Sequence, residues 1–148
     1  MTPDDIAAHL NLTPIPVEGG RFAQTWLDEH SGSIYYLVTP EDFSGLHTLA
    51  HVEVWFFHGG APTSMLLLHP GGVIEEPVLG IDLSAGQVPQ VVVPPGVVMA
   101  AEPLGEWSLL GTYMSPPYTE DAVEFPLANE LVERYPAAAG RITRMARR

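Results

Sequence analysis

The sequence has no cysteine and no lysine. Without cysteine there is no disulfide, no thiol nucleophile and no thiolate metal ligand. Without lysine there is no Schiff base, which excludes lysine-anchored pyridoxal phosphate. Positive charge is scarce altogether. Of six Arg, five (Arg134, Arg141, Arg144, Arg147 and Arg148) fall at the C-terminal end, and none lies between Phe22 and Glu133. A site built from that interval has no guanidinium or ammonium to clamp a phosphate or carboxylate. An anionic substrate would need a metal, Arg21, backbone amides, or an Arg from the C-terminus or a second subunit. With a net charge of −12 the chain also lacks the basic surface that nucleic acid requires. Long apolar runs are missing too. Stretches such as Met65–Leu68 and Val91–Val93 are strand-sized, far short of the ~20 residues of a membrane span. The N-terminus MTPDDIAAHL is acidic and shows no secretory signal, so the expectation is a cytoplasmic protein that contacts neither membrane nor nucleic acid.

What is present is punctuation. The 148 residues suffice for one domain with its own core, and no linker or repeat divides them. Thr2 to Leu10 reads as a short helix: Thr2 caps it, Pro3 fits the first turn, and Asp4 and Asp5 suit the positive end of its dipole. Short strands follow, near 21–27, 33–39, 64–69, 73–79, 90–93, 97–101 and 108–113. Gly- and Pro-rich turns separate them. Such spacing indicates an all-β sandwich or barrel, with a core of about 18–125. The tail, about 127–148, reads as helical, with Asn129 as the cap of ELVERY and a basic segment after Pro136. Its Arg cluster either compensates helix dipoles at the surface or docks onto an acidic body.

The segment FSGLHTLAHVEVWFFHGGAP, 43–62, carries the densest chemistry. In one continuous strand, alternate side chains share a face. His47, Leu49, His51, Glu53, Trp55 and Phe57 then lie together. Two imidazoles and a carboxylate are a recurring metal-ligand set. The same residues would equally make a polar pocket without metal, or a hydrogen-bonded core pair, and a turn near Ala50 would break the parity. Trp55 and Phe57 serve as core or as a ligand platform. Glu18, beside Gly19-Gly20, either closes the mouth of a pocket or is a solvated turn carboxylate. Gln90 is a pocket group or a ladder residue. Tyr36 and Tyr113 are candidate proton donors. Parity turns His58 away, and His9, His30 and His69 are expected at the surface.

Several stretches together resemble the cupin superfamily. They are EGGRFAQTW (18–26), SIYYLVTPEDFSGLH (33–47), EVWFFHGGAP (53–62), VLGIDLSAGQVPQVVVPPGV (78–97) and SLLGTYMSPPY (108–118). More closely, the chain resembles the small bacterial and fungal cupins that carry only a domain-of-unknown-function label. The resemblance implies a double-stranded β-helix, or jelly roll, with short helices at both ends, and a homodimer formed through extended strands. The general cupin pattern holds a metal with an HxH pair, a Glu, and a His after a PxG turn. Here His47 and Glu53 match in type. Leu49 stands where the second His belongs, and Met99 stands at the His expected after Pro94-Pro95-Gly96. His51 is the nearby substitute, at a position where the family has a small or polar residue. Ala23 and Gln24 stand where relatives carry Arg and Glu.

These readings converge on a small-molecule pocket. His47, His51 and Glu53 are its expected catalytic centre and metal ligands, for a divalent Zn, Mn, Fe or Ni. Glu18, Tyr36, Trp55, Gln90, Met99 and Tyr113 are its expected ligand-contacting residues. The expected chemistry is proton transfer next to a carbonyl, of the isomerase, epimerase or lyase kind. The alternative is a non-catalytic binding protein that has lost the ligand set. A dioxygenase fits less well, because redox iron needs a full three-residue ligand face.

Overall fold

The computed structural model describes all residues, Met1–Arg148. The N-terminal expectation holds in detail. The Thr2 hydroxyl accepts from Asp5 N at 3.1 Å, and the Asp5 carboxylate accepts from Thr2 N at 2.8 Å. This reciprocal cap starts helix α1 (Pro3–Leu10). The strands follow: β1 (Thr13–Pro14), β2 (Arg21–Leu27), β3 (Gly32–Val38), β4 (Ser44–Leu49), β5 (Glu53–Gly60), β6 (Thr63–Leu68), β7 (Ile74–Glu75), β8 (Val78–Leu79), β9 (Gln90–Val93), β10 (Val98–Pro103), β11 (Ser108–Met114) and β12 (Val123–Glu124). Helices α2 (Ala128–Arg134) and α3 (Ala139–Met145) close the chain.

Two antiparallel sheets face each other. One runs β1-β2-β3-β11-β5-β9, and the other runs β12-β4-β10-β6-β7 with β8 paired to β6. The architecture is mostly β, with short helices at both ends, as the resemblance implied. Strands alternate inward and outward side chains, and the inner faces of both sheets supply the main core. Trp55, Tyr36, Leu67, Met99, Val93 and Leu110 are among its fully or nearly fully buried members.

The segment 43–62 is not one strand. The chain leaves β4 after Leu49, bends at Ala50–Val52, and enters the opposite sheet as β5. Backbone bonds pin the bend: Ala50 N donates to Ala122 O, and Gly96 N donates to Leu49 O, both at 2.9 Å. His47 and Glu53 therefore face each other from different sheets instead of lining one.

The tail also departs from expectation. Asn129 does not cap α2. Leu127 takes the N-cap position with no side-chain bond, and Ala128 N donates to Arg148 O at 3.0 Å instead. Leu131, Tyr135, Ile142 and Met145 pack on the outer face of the second sheet against Leu46, Leu66, Leu68 and Val98. The basic residues dock on the chain's own acids and carbonyls. Arg144 forks onto Glu102 at 2.6 and 2.9 Å, and Arg141 reaches Glu76 at 3.0 Å. No helix is long and apolar enough to cross a membrane.

Ile142 is completely buried between tail and sheet. Ile142→Ala is expected to lower unfolding stability by about 2–5 kcal/mol in a denaturant titration. A loss below about 0.5 kcal/mol, the range of surface substitutions, would mean that the tail is not part of the cooperative core.

Candidate functional site

One end of the space between the sheets is not filled by side chains. It forms a cavity of about 420 Å³. Glu53 and Trp55 reach it from β5, Tyr36 from β3, His47 and Leu49 from β4, and Thr112 from β11. Glu18 enters from the turn before β2.

That turn is strained. Val17, a β-branched residue, has φ 66°, and Glu18 N donates to Pro16 O at 2.8 Å. This is a γ-turn with its central residue at positive φ, a conformation that costs on the order of 1–3 kcal/mol. Several contacts hold it in place. Gly20, at φ 79°, leaves room for the Tyr36 ring, because a Cβ there would stand 2.4 Å from Tyr36 Cε1. Gly45 N donates to Glu18 O at 2.8 Å. Arg147 donates to Glu18 O from Nε and Nη2 at 3.2 and 3.1 Å, and to Phe43 O at 2.9 Å. Its guanidinium also lies 4.4 Å from the Phe43 ring centroid. Gly45 is required here as well, since a Cβ would fall 2.1 Å from Arg147 Nε. The C-terminal Arg thus braces the backbone of an acidic pocket residue and does not enter the cavity.

Glu18 Oε2 accepts from Tyr36 Oη at 2.7 Å and from Ser44 Oγ at 2.9 Å. The Tyr36 hydroxyl divides its hydrogen between this oxygen and Gly19 O at 2.6 Å. Burial, followed by the Glu18 charge, holds the Tyr36 phenol well above its ordinary value. Tyr36 is therefore a fixed donor that orients Glu18.

His47 is 1% exposed. Its Nδ1 lies 2.7 Å from Gly45 O. A carbonyl only accepts, so Nδ1 carries the hydrogen. Nε2 is left to face the Glu18 carboxylate, with Oε1 at 3.6 Å. The Nδ1–H bond to Gly45 O sets the tautomer and leaves Nε2 as the free, proton-accepting nitrogen.

Glu53 is 7% exposed, and its Oε1 has no hydrogen-bond partner. Burial pushes its carboxyl up to about 7 from 4.5, opposed by His47 and reinforced by the Glu18 charge. Thr112 and Trp55 favour the anion more weakly. Trp55 Nε1 is itself buried without a partner. No Arg or Lys side chain lines the cavity to neutralise Glu53.

The structure thus gathers Glu18, Tyr36, His47, Glu53 and Trp55 around one cavity. The other expected residues lie elsewhere. His51 sits in the bend between sheets, on the Asp121 side, and does not line the cavity. Gln90 and Tyr113 occupy the outward parity of β9 and β11 and are exposed. Met99 pairs with His47 across β10 and β4 but is buried in the main core. Sequence reasoning missed Ser44 and Thr112. Thr112 was legible: with Leu110 and Met114 inward by hydrophobicity, Thr112 between them had to face inward and Tyr113 outward.

A resident metal does not fit these residues. No three His, Asp or Glu side chains converge as a ligand group. The expected His47–His51–Glu53 set is not assembled, because the bend at 50–52 carries His51 away from the other two.

Glu53 gives the site a pH signature. Between pH 4.5 and about 7 the folded state holds a proton that the unfolded state has released, so stability falls as pH rises. Glu53→Gln removes this loss. The variant is expected to gain on wild type across that interval, by roughly 3 kcal/mol once pH exceeds 7, and to match it in acid. Parallel pH–stability curves would show that Glu53 ionises normally.

Comparison with known proteins agrees with the architecture. A protein from Shewanella oneidensis of known structure shares 29% identity with a TM-score of 0.91, over 99% of this chain and 98% of that one. A hypothetical protein from Leishmania major shares 24% identity with a TM-score of 0.90, over 99% of each chain. Oxalate decarboxylase from Bacillus subtilis shares the fold at 10% identity and a TM-score of 0.63, over 93% of this chain and 38% of that one. No curated protein matches the sequence. The family described as "Cupin superfamily (DUF985)" matches residues 4–126, and the chain belongs to it.

Proposed function

We propose that the protein is a metal-free proton-transfer enzyme for a small molecule, of the isomerase, epimerase or lyase kind. One observation carries the reading. Glu53, whose carboxyl is pushed up to about 7, shares the cavity with His47, whose Nε2 faces the Glu18 carboxylate. A general acid–base group works best when its pKa lies near the operating pH. The Glu53 carboxylate accepts a proton from carbon next to a carbonyl, and the electron pair moves to the carbonyl oxygen. The proton then returns from Glu53 to the other face or the neighbouring atom. His47 Nε2 is the second atom that takes or gives a proton. Glu18 and Tyr36 hold the imidazole and each other in place. The fold is also used by enzymes, oxalate decarboxylase among them. That likeness concerns the fold alone.

The second reading is a binding protein without turnover. It is favoured by Met99, which fills the core at the position of the motif His, and by the absence of a three-residue ligand group.

Solvent deuterium exchange separates the two. Wild type, incubated in D₂O with a panel of small ketones and aldehydes, is expected to exchange the C–H next to the carbonyl of at least one. Glu53→Gln should slow that exchange by roughly 10²–10⁴ while binding persists. Binding without exchange in wild type supports the second reading and contradicts the first.

A further inference from the structure

We infer that the cavity takes a protonated primary amine on an apolar body, and that its ammonium group sits between Glu18 Oε1 and His47 Nε2. The inference deepens the proposed function and rests on the same site. The side-chain polar atoms sealed from solvent without a partner are Glu53 Oε1, Trp55 Nε1 and Thr63 Oγ1. His47 Nε2 and Glu18 Oε1 are not among them, yet neither makes a hydrogen bond. Both therefore open onto the cavity that their residues line. They stand 3.6 Å apart. That is too far for a bond to each other, since a charge-assisted N–H···O contact closes to ~2.7–2.9 Å. It is close enough for one nitrogen to lie at roughly 2.9 Å from both. With the hydrogen on Nδ1, Nε2 of the neutral imidazole accepts, and the carboxylate oxygen only accepts. The gap thus calls for a group with at least two hydrogens.

Charge selects the ammonium. Glu18, Glu53 and Glu120 line the cavity, and no Arg or Lys does. An anion would meet these acids with no guanidinium to offset them. Arg21 pairs with Asp4, Arg141 with Glu76, Arg144 with Glu102, and Arg147 spends its donors on carbonyls. Arg134 and Arg148 line a separate depression beside β12. A hydroxyl has one hydrogen and fills one of the two acceptors. An ammonium has three, and its charge offsets that of Glu18. The open side of the cavity carries the same signature. Tyr118 is 51% exposed and lines the cavity, and its phenol is raised by burial and then by the charges of Glu18 and Glu120. An aromatic ring near two acids attracts a cation. Much of the remaining wall is apolar, with Phe22, Ile34, Leu49 and Phe125 among its members, which suits a hydrocarbon body. The volume of about 420 Å³ lies within the ~300–1,000 Å³ range of small-molecule sites. Under the proposed reaction the substrate is then a carbonyl compound that carries an amine. Glu53 exchanges the carbon-bound proton, and the proton within reach of His47 is the ammonium's.

The test titrates four related probes into the ¹⁵N-labelled full chain near neutral pH: benzylamine, benzyl alcohol, benzoate and benzyltrimethylammonium. Affinities are measured, and the ¹⁵N signals of the imidazoles are followed. Benzylamine is expected to bind saturably and to shift the His47 Nε2 signal, with the alcohol and benzoate each about tenfold weaker or worse. Benzyltrimethylammonium keeps the charge but has no N–H to donate, and should be weaker by a similar factor. Glu18→Gln, which still accepts from Tyr36 and Ser44, should weaken benzylamine by about tenfold and leave the alcohol nearly unchanged. Glu120→Gln, a change at an exposed residue, should weaken the amine by a smaller factor. Benzylamine that does not bind, or that binds no tighter than the alcohol, benzoate or the quaternary ammonium, would overturn the inference. So would full affinity for benzylamine in Glu18→Gln. Amine binding with no C–H exchange in any substrate, aminoketones included, would sink the proton-transfer reading and leave this inference standing. Exchange of a simple ketone together with a preference for benzyl alcohol would do the reverse.

Discussion

The site depends on one constraint: the carboxylates of Glu18 and Glu53 share a cavity whose wall contains no Arg or Lys. In most proteins a buried carboxylate is paired with Arg or Lys or is heavily hydrogen-bonded. Here the chain has no lysine, and every Arg near the body is engaged elsewhere. The two acids resolve the problem differently. Glu18 takes hydroxyls from Tyr36 and Ser44 and faces His47, so its charge is spread over neutral donors and an imidazole. Glu53 takes almost nothing, and its carboxyl is pushed up to about 7. A buried carboxyl raised in this way suits an acid–base role in the pocket.

Much of the scaffold serves to keep Glu18 in place. The strained turn at Val17, the glycines at 20 and 45, and the guanidinium of Arg147 all converge on its backbone. Arg147 belongs to a tail that shares a core with the second sheet. The C-terminus is therefore linked mechanically to the pocket, through carbonyl contacts and not through charge presented to a ligand. Of the two expectations for the basic tail, docking onto the chain's own body is the one observed.

The strands, the turns and the double-sheet architecture were legible in the sequence because inward apolar residues and Gly/Pro turns report them directly. Glu18 stood out beside its Gly-Gly turn, and His47, Glu53 and Trp55 as polar or large residues in a β segment; for Tyr36 the alternation told only that it and Tyr35 face opposite ways. The error at His51 came from extending a period of two through a bend. Nothing in the alternation of LHTLAHVEV (46–54) marks where the chain changes sheets; the bonds of Ala50 to Ala122 and Gly96 to Leu49 are long-range. Gln90 and Tyr113 lie at the outward parity of their strands, as the buried Val91, Leu110 and Met114 beside them show. Arg147 was not legible at all as a brace for Glu18, since the two are 129 residues apart.

The most direct measurement is the titration of the Glu53 side-chain carboxyl by ¹³C NMR, assigned by its loss in Glu53→Gln. A midpoint near 7 would establish an uncompensated buried acid facing His47, the condition on which the proposed chemistry stands. A midpoint near the ordinary 4.5 would mean that water or a cation reaches Glu53, and the account of the cavity would fail.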